Sequence, residues 1–322
     1  MFTIQDLEAA HALVSRSVPP TPALDWPLLG EALGATVVVK HENHAPTGAF
    51  KVRGGVTFMD WLTRTHPDMQ GIVTATRGNH GQSQARAATE RGLRAKVLVP
   101  RGNSVEKNAA MRAYGAELIE HGDDFDEARE EAMRIAETEP LFPVPPFHKE
   151  LVRGVATYGY ELFSAWPDLD VVYVPIGCGS GLCGTIAARD ALGFDTEIVG
   201  VVAEGAAGAK LSVEAGHLVE TNSADTFADG MAVRVPVQAA FDIYSRKAAR
   251  IGAVSDDEIA AAIRLFYTAT HNIAEGAGAA ALALAMQEKE RNTGRRVGVV
   301  LSGGNLDMPV YRSLLSGETP RP

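Results

Sequence analysis

Residues 171–184 read Val171-Val172-Tyr173-Val174-Pro175-Ile176-Gly177-Cys178-Gly179-Ser180-Gly181-Leu182-Cys183-Gly184, and this stretch decides the architecture. Its opening apolar run has no alternation, which suits a strand covered on both faces. Glycines at 177, 179, 181 and 184 then turn the chain into a segment with helical spacing. A glycine-rich turn from strand to helix bares backbone amides at the positive end of the helix. Amide geometry and helix dipole together make a phosphate site. Gly179 to Gly184 also spells G-x-G-x-x-G, and Glu204 closes the next apolar run at a rough distance for a ribose-binding acid. Three readings stay open for the segment alone: a phosphate cradle, a dinucleotide fingerprint, or a tight turn that needs glycine only for close packing. Cys178 and Cys183 have no second pair at ligand spacing, so they read as small buried hydrophobes, with no metal site.

Outward from this loop, similar apolar runs recur at 36–40, 71–74, 95–99, 117–119, 197–203 and 297–301. Segments of helical spacing, such as 82–91 and 123–137, lie between most of them. Strand and helix in repetition give an α/β protein with a mostly parallel sheet. Two stretches read as seams. Residues 63–70 (TRTHPDMQ) are polar with a proline, and 139–147 (EPLFPVPPF) carry four prolines, which no helix or central strand tolerates. The block between the seams has the size of a small doubly wound domain, and the block from Lys149 onward is larger and repeats the pattern. Residues before Thr63 join one of the two blocks, and the pattern by itself does not choose.

The 322 residues hold 46% hydrophobic and 22% charged side chains, ordinary globular usage that excludes a disordered chain, a collagen-like fibre and a coiled coil. Lys and Arg total 30 against 40 Asp and Glu, a net charge of −10 with no basic run. No nucleic-acid or anionic-membrane partner is expected of such a chain. No apolar run approaches the roughly 20 residues of a membrane span. The start, MFTIQDLEAAHALV, lacks the pattern of a secretory leader, so a cytoplasmic enzyme or small-molecule binder is expected.

Three further motifs narrow the choice. Pro46-Thr47-Gly48-Ala49-Phe50-Lys51-Val52-Arg53-Gly54-Gly55 sets a lysine in an apolar, glycine-flanked turn. A desolvated amine has a lowered pKa and becomes a nucleophile able to form a Schiff base; the alternative is a partly exposed lysine in a helix-entry loop. Thr76-Arg77-Gly78-Asn79-His80-Gly81-Gln82 follows a strand and precedes a helix, so its amides suit a carboxylate. Leu301-Ser302-Gly303-Gly304-Asn305 again ends a strand. In open α/β sheets ligands collect at the carboxyl ends of strands, where all four motifs fall.

Together these motifs resemble the fold type II family of pyridoxal-phosphate enzymes, and within it the threonine/serine dehydratase and serine racemase group. The resemblance runs from Pro22 to Asn305 and includes Ala228-Asp229-Gly230 and Glu275-Gly276-Ala277-Gly278-Ala279-Ala280 in the family's order. It implies two doubly wound open-sheet α/β domains of the tryptophan-synthase-β-like type. The expected division is residues 1–62 plus 149–322 as a large cofactor-binding domain and 63–148 as a small substrate-loop domain.

By resemblance, pyridoxal 5'-phosphate is held as an imine on Lys51, which also moves the α-proton. Phe50 would pack beside the pyridine ring, Asn79 would bond its phenolic oxygen, and Ser302 would meet its nitrogen. The amides of Gly177, Cys178, Gly179, Ser180, Gly181 and Leu182 would bind the phosphate. Thr76, Arg77, Gly78, Asn79 and His80 would line the substrate-carboxylate loop. A serine cannot hold a pyridinium proton as a carboxylate can, so the ring is a weaker electron sink and expulsion of a β-substituent is favoured over transamination. The expected reaction eliminates water from a 3-hydroxy amino acid such as threonine, serine or a more polar analogue, giving a 2-oxo acid and ammonia. A racemase or β-replacement enzyme on the same cofactor is the runner-up, and a dinucleotide-dependent oxidoreductase the alternative from another class. A homodimer is expected by resemblance alone.

The sequence departs from the family in five places. Ala49 replaces a serine, the phosphate loop is one residue longer, and Pro146-Phe147-His148-Lys149-Glu150 lacks the usual His-Pro-Phe/Tyr-Asp pattern. Arg77 stands where relatives carry a small residue, and Lys210 stands near where metal-binding relatives place an aspartate after Glu204. No metal is expected, because Lys210 sets an ammonium beside Glu204. The chain stops soon after Asn305, so no regulatory domain of the biosynthetic threonine deaminases is expected, and a catabolic role follows.

Overall fold

The computed structural model describes residues 1–321; Pro322, the last residue of the expected large domain, lies outside them. The strands are β1 (Ala23–Asp25), β2 (Thr36–His41), β3 (Gly71–Ala75), β4 (Arg94–Val99), β5 (Glu117–Glu120), β6 (Leu141–Pro143), β7 (Val171–Pro175), β8 (Glu197–Ala203), β9 (Arg250–Val254) and β10 (Arg296–Leu301). They form a six-stranded sheet in the order β1-β2-β10-β7-β8-β9 and a four-stranded sheet in the order β5-β4-β3-β6. All pairings are parallel except β1 with β2.

The continuous apolar runs have the expected cause. Along the large sheet, Val37, Val39, Val171, Tyr173, Val199, Val201, Val297 and Val299 face one buried cluster, shared with the helices Asp256–Thr270 and Gly276–Gln287. Their neighbours Val38, Val172, Val174, Ile198, Val202 and Val300 face another, shared with the helices Lys149–Ala165 and Ser180–Leu192. Side chains alternate between the faces of a strand, so a sheet covered on both sides needs apolar residues at every position. The small sheet repeats this arrangement. Ile72 and Ala95 pack with Phe58, Met59 and Leu62 of the helix Lys51–Thr65, while Val73 and Leu98 pack with Ala128 and Ala132 of the helix Phe125–Thr138. The helix that begins at Lys51 therefore covers the small sheet.

The proline-rich stretch 139–147 holds a strand after all. Among the described residues β6 has β3 as its only neighbour, and an edge position spares its proline the ladder bond that it cannot donate.

In each sheet the chain order reverses once. β7, β8 and β9 run outward in one direction and β10 lies on the other side of β7; likewise β3, β4 and β5 run one way and β6 lies behind β3. Crevices outside the carboxyl ends of strands at such switch points are where open α/β sheets hold ligands. The loops after β7 and β10 flank the large switch point, and the turn 76–78 leaves β3 at the small one.

Candidate active site

Lys51 is the first residue of the helix Lys51–Thr65, and its Nζ lies 3.1 Å from Ser180 Oγ in the glycine loop. Burial pushes the ammonium below its ordinary value, opposed by the nearby Cys178. The aromatic ring of Phe50 has its centroid 5.1 Å from the same nitrogen. The Phe50 amide donates to the Ser302 carbonyl at 3.0 Å, and Ala49 forms an isolated bridge with Gly303. The lysine turn is thereby tied to the end of β10.

The start of this helix is anchored from behind. The Arg53 guanidinium is fully buried and grips Glu42 at 2.7 and 3.0 Å and Glu161 at 2.7 and 2.8 Å. Lys40 joins Glu161 at 2.5 Å. Paired, multiply bonded charges are the form in which ions are tolerated in a dry interior.

The loop after β7 enters the helix Ser180–Leu192 through Gly179, whose φ of +94° lies in the left-handed region that glycine adopts without strain. A Cβ on Gly177 would stand 2.2 Å from the Gly230 carbonyl oxygen, so no side chain fits there. The first hydrogen bond of this helix end runs from the Cys183 amide to Gly179 at 3.0 Å, and no side chain caps it. The amides ahead of Cys183 are left for an anion. Tyr158 braces the turn from beneath, donating to the Gly181 carbonyl at 2.9 Å. Leu182 is buried in the core, and burial pushes the half-buried Cys178 thiol up.

On the facing side, the turn 76–78 opens the helix Asn79–Thr89. Thr76 Oγ1 accepts from the Gly78 amide at 3.0 Å. The Asn79 side chain is held at both ends: Nδ2 donates to Glu275 at 2.6 Å and Oδ1 accepts from Asn305 Nδ2 at 2.8 Å. His80 Nε2 is buried with no partner, and burial beside Lys51 pushes the imidazole down to about 3, so the ring is neutral. Ser302 is buried at the end of β10. Arg77 is exposed and makes no ion pair or hydrogen bond among the described residues.

The expected Lys210–Glu204 proximity is not found. Lys210 Nζ pairs with Glu214 at 2.5 Å, one helical turn on, and Glu204 is exposed. Among the described residues no three His, Cys, Asp or Glu side chains are grouped to hold a metal ion, and no helix is long and apolar enough to cross a membrane.

Sequence reasoning gave no role to Lys107, Asp229, Glu275 or Asn305. The motifs containing Asp229, Glu275 and Asn305 were visible as family signatures. Lys107 carried no signal, since it looks like any lysine of an amphipathic helix.

A buried amine beside a bare helix entrance defines the class: the chemistry suits a phosphate-bearing carbonyl cofactor. The glycine cradle, the lysine and the unpartnered His80 are a donor set that fits such a group. Residues 14–303 match the pyridoxal-phosphate dependent enzyme family, and the chain belongs to it. The cofactor is pyridoxal phosphate and not a dinucleotide, so the G-x-G-x-x-G spelling is not a dinucleotide fingerprint. The chain is 32% identical to the L-threonine ammonia-lyase of Thermotoga maritima, over 98% of this chain and 79% of that one. It is 31% identical to the L-threo-3-hydroxyaspartate ammonia-lyase of Saccharomyces cerevisiae, over 99% and 98%. The solved structure of maize serine racemase superposes with a TM-score of 0.91 at 25% identity, covering 98% of this chain and 97% of that one.

Proposed function

We propose that the protein is a pyridoxal-phosphate-dependent ammonia-lyase that eliminates water from a 3-hydroxy amino acid, threonine or serine or a more polar analogue, to release a 2-oxo acid and ammonia. The observation that carries this reading is the 3.1 Å approach of Lys51 Nζ to the Ser180 hydroxyl, which sets one buried amine against one phosphate turn. When bound, the cofactor supplies an electron sink conjugated with the substrate α-carbon.

The chain's own groups take these roles in the proposal. The amides of Gly177, Cys178, Gly179, Ser180, Gly181 and Leu182 hold the phosphate, and Phe50 lies against the ring. Asn79 presents the remaining Nδ2 hydrogen to the ring's phenolic oxygen, because its Oδ1 is already taken by Asn305. Ser302 offers a hydroxyl to the ring nitrogen, which weakens the electron sink and favours elimination. Lys51, desolvated and therefore neutral more readily than a surface lysine, takes the α-proton. Thr76, Gly78, Asn79 and His80 receive the substrate carboxylate. Arg77, without a partner among the described residues, is available to a polar substrate group; the 3-hydroxyaspartate activity named for the yeast relative favours this choice of substrate class.

The division into residues 1–62 plus 149–322 and 63–148 is proposed with it, supported by the way the strands segregate between the two sheets; the helix Lys51–Thr65 crosses this boundary and packs on the small sheet. A homodimer and a cytoplasmic location are proposed on the likeness to the family. The test is a panel of 3-hydroxy amino acids with 2-oxo acid and ammonia both measured. Equimolar release of the two supports the reading. Racemization faster than elimination on every substrate overturns it in favour of the racemase alternative.

A further inference from the structure

The helix Val105–Ala113 carries a lysine whose surroundings are not those of a surface residue. Lys107 is 6% exposed, and its Nζ lies 2.5 Å from Asp229 Oδ2 and 3.5 Å from Glu275 Oε2. Its stem packs on the substrate loop, since a Cβ at Gly78 would stand 2.6 Å from Lys107 Cδ. The N-terminal end of the same helix is fixed to the segment after β10. Ser104 Oγ donates to Asp307 at 2.5 Å, and the Met308 amide donates to Glu106 at 2.8 Å.

Glu275 is the second half of the arrangement. It is 1% exposed, its Oε1 accepts from Asn79 Nδ2 at 2.6 Å, and its amide donates to the Gly303 carbonyl at 3.1 Å. Glu275 Oε2 has no hydrogen-bond partner, so the Lys107 ammonium is the cation that faces it. Asp229 faces the same carboxylate as a like charge, and Asp307 adds its field at Lys107. One ammonium thus stands between two carboxylates of the large sheet's loops while its stem supports the loop from β3.

We propose that Lys107 is a positioning residue that acts through Glu275 on Asn79, holding the substrate loop and the cofactor pocket in one register. The inference rests on the pyridoxal-phosphate reading of the site. The ammonium favours the ionised form of Glu275, which is the stronger acceptor for the Asn79 amide. Burial pushes the Glu275 carboxyl up to about 7 even with Lys107 opposing. Removing that cation shifts the carboxyl further toward its protonated form, which is a weaker acceptor for the Asn79 amide.

The test uses the cofactor-loaded protein and four variants: Lys107→Met, which keeps the stem and removes the charge, Glu275→Gln, the double variant, and Lys107→Arg. The readouts are the visible band of the bound cofactor, which reports the hydrogen bond at its phenolic oxygen, and KM and kcat on threonine. Lys107→Met is expected to keep the cofactor, shift the band, and raise KM about tenfold with a smaller change in kcat. The double variant is expected to match Glu275→Gln within about twofold, because the two residues act in series. Lys107→Arg is expected to return the band toward the wild-type position. Should Lys107→Met fail to fold, Glu275→Gln and Lys107→Arg decide by the same shifts. An unmoved band and KM in Lys107→Met, or losses that multiply in the double variant, overturn the inference. A wild-type protein with no visible band contradicts the cofactor reading instead, which keeps the two failures apart.

Discussion

Lys51 Nζ and Ser180 Oγ lie 3.1 Å apart although 129 residues separate them in the chain. Two unrelated local devices meet at that contact. One is a helix that starts on a lysine, anchored by Arg53 two residues later. The other is a glycine turn that leaves a helix entrance uncapped. Each alone has a bland reading, as a cleft lysine or a tight turn. The contact between them does not.

The glycine turn separates structural from ligand roles. A Cβ at Gly177 collides with backbone at 2.2 Å, whereas one at Gly181 meets Phe50 and Tyr158 at an ordinary 3.6 Å. Gly177→Ala is expected to lower stability by about 1–3 kcal/mol through forced backbone movement. Gly181→Ala is expected to leave the melting temperature unchanged and to weaken cofactor retention. Melting curves with and without added cofactor check both. Equal melting losses in the two variants would count against a cradle at Gly181.

Arg77 tests substrate class. A guanidinium with no partner among the described residues suits an acidic or strongly polar substrate group, and it cannot take a proton near neutral pH. Arg77→Ala is expected to lower kcat/KM on 3-hydroxyaspartate on the order of tenfold while sparing threonine. Steady-state rates on the two substrates give the answer, and equal changes on both reject a role in specificity.

The buried charges behind Lys51 set acid stability. Burial pushes the Glu161 carboxyl up, but hydrogen bonds from His11 and Arg53 and the charges of Arg53 and Lys40 outweigh it and hold the group well below 4.5. A depressed carboxyl contributes stability that is full above its unfolded value of 4.5 and is lost as pH falls toward the folded one. Stability should therefore decline below about pH 4.5, and Glu161→Gln should flatten that decline. Arg53→Met leaves Glu42 and Glu161 without their main partner and is expected to cost about 3–5 kcal/mol. Denaturant unfolding at pH 7 and pH 3 measures both effects.

Activity is expected to persist after chelation. A hard divalent cation takes several oxygen ligands. Here Glu204 stands exposed, and the ammonium of Lys210 is paired with Glu214. Turnover assayed before and after treatment with a chelator is expected to be unchanged, and a large reversible loss would show a cation site that these residues do not provide.

The strands that could be read from the sequence are mostly those with two neighbours. β2, β3, β4, β7, β8 and β10 are covered on both faces and paired on both edges, which demands long apolar runs; among edge strands β5 was visible too. β1, β6 and β9 are edges. Three residues in β1, a proline in β6 and the partly exposed Arg250–Val254 of β9 satisfy one neighbour without a continuous apolar signal. The glycine turn and the lysine turn were legible because backbone geometry there restricts residue type. The charges at Arg53, Glu161 and Lys107 were not, because burial of a charged side chain depends on partners far away in sequence.

The visible absorption of the protein loaded with pyridoxal phosphate, compared with that of Lys51→Ala, tests the central claim most directly. The wild type is expected to show a violet-blue band and to turn over a 3-hydroxy amino acid. Lys51→Ala is expected to remain folded, since a cleft lysine contributes little packing, and to show neither band nor turnover. A Lys51→Ala protein that keeps both the band and full activity would contradict the assignment of the site.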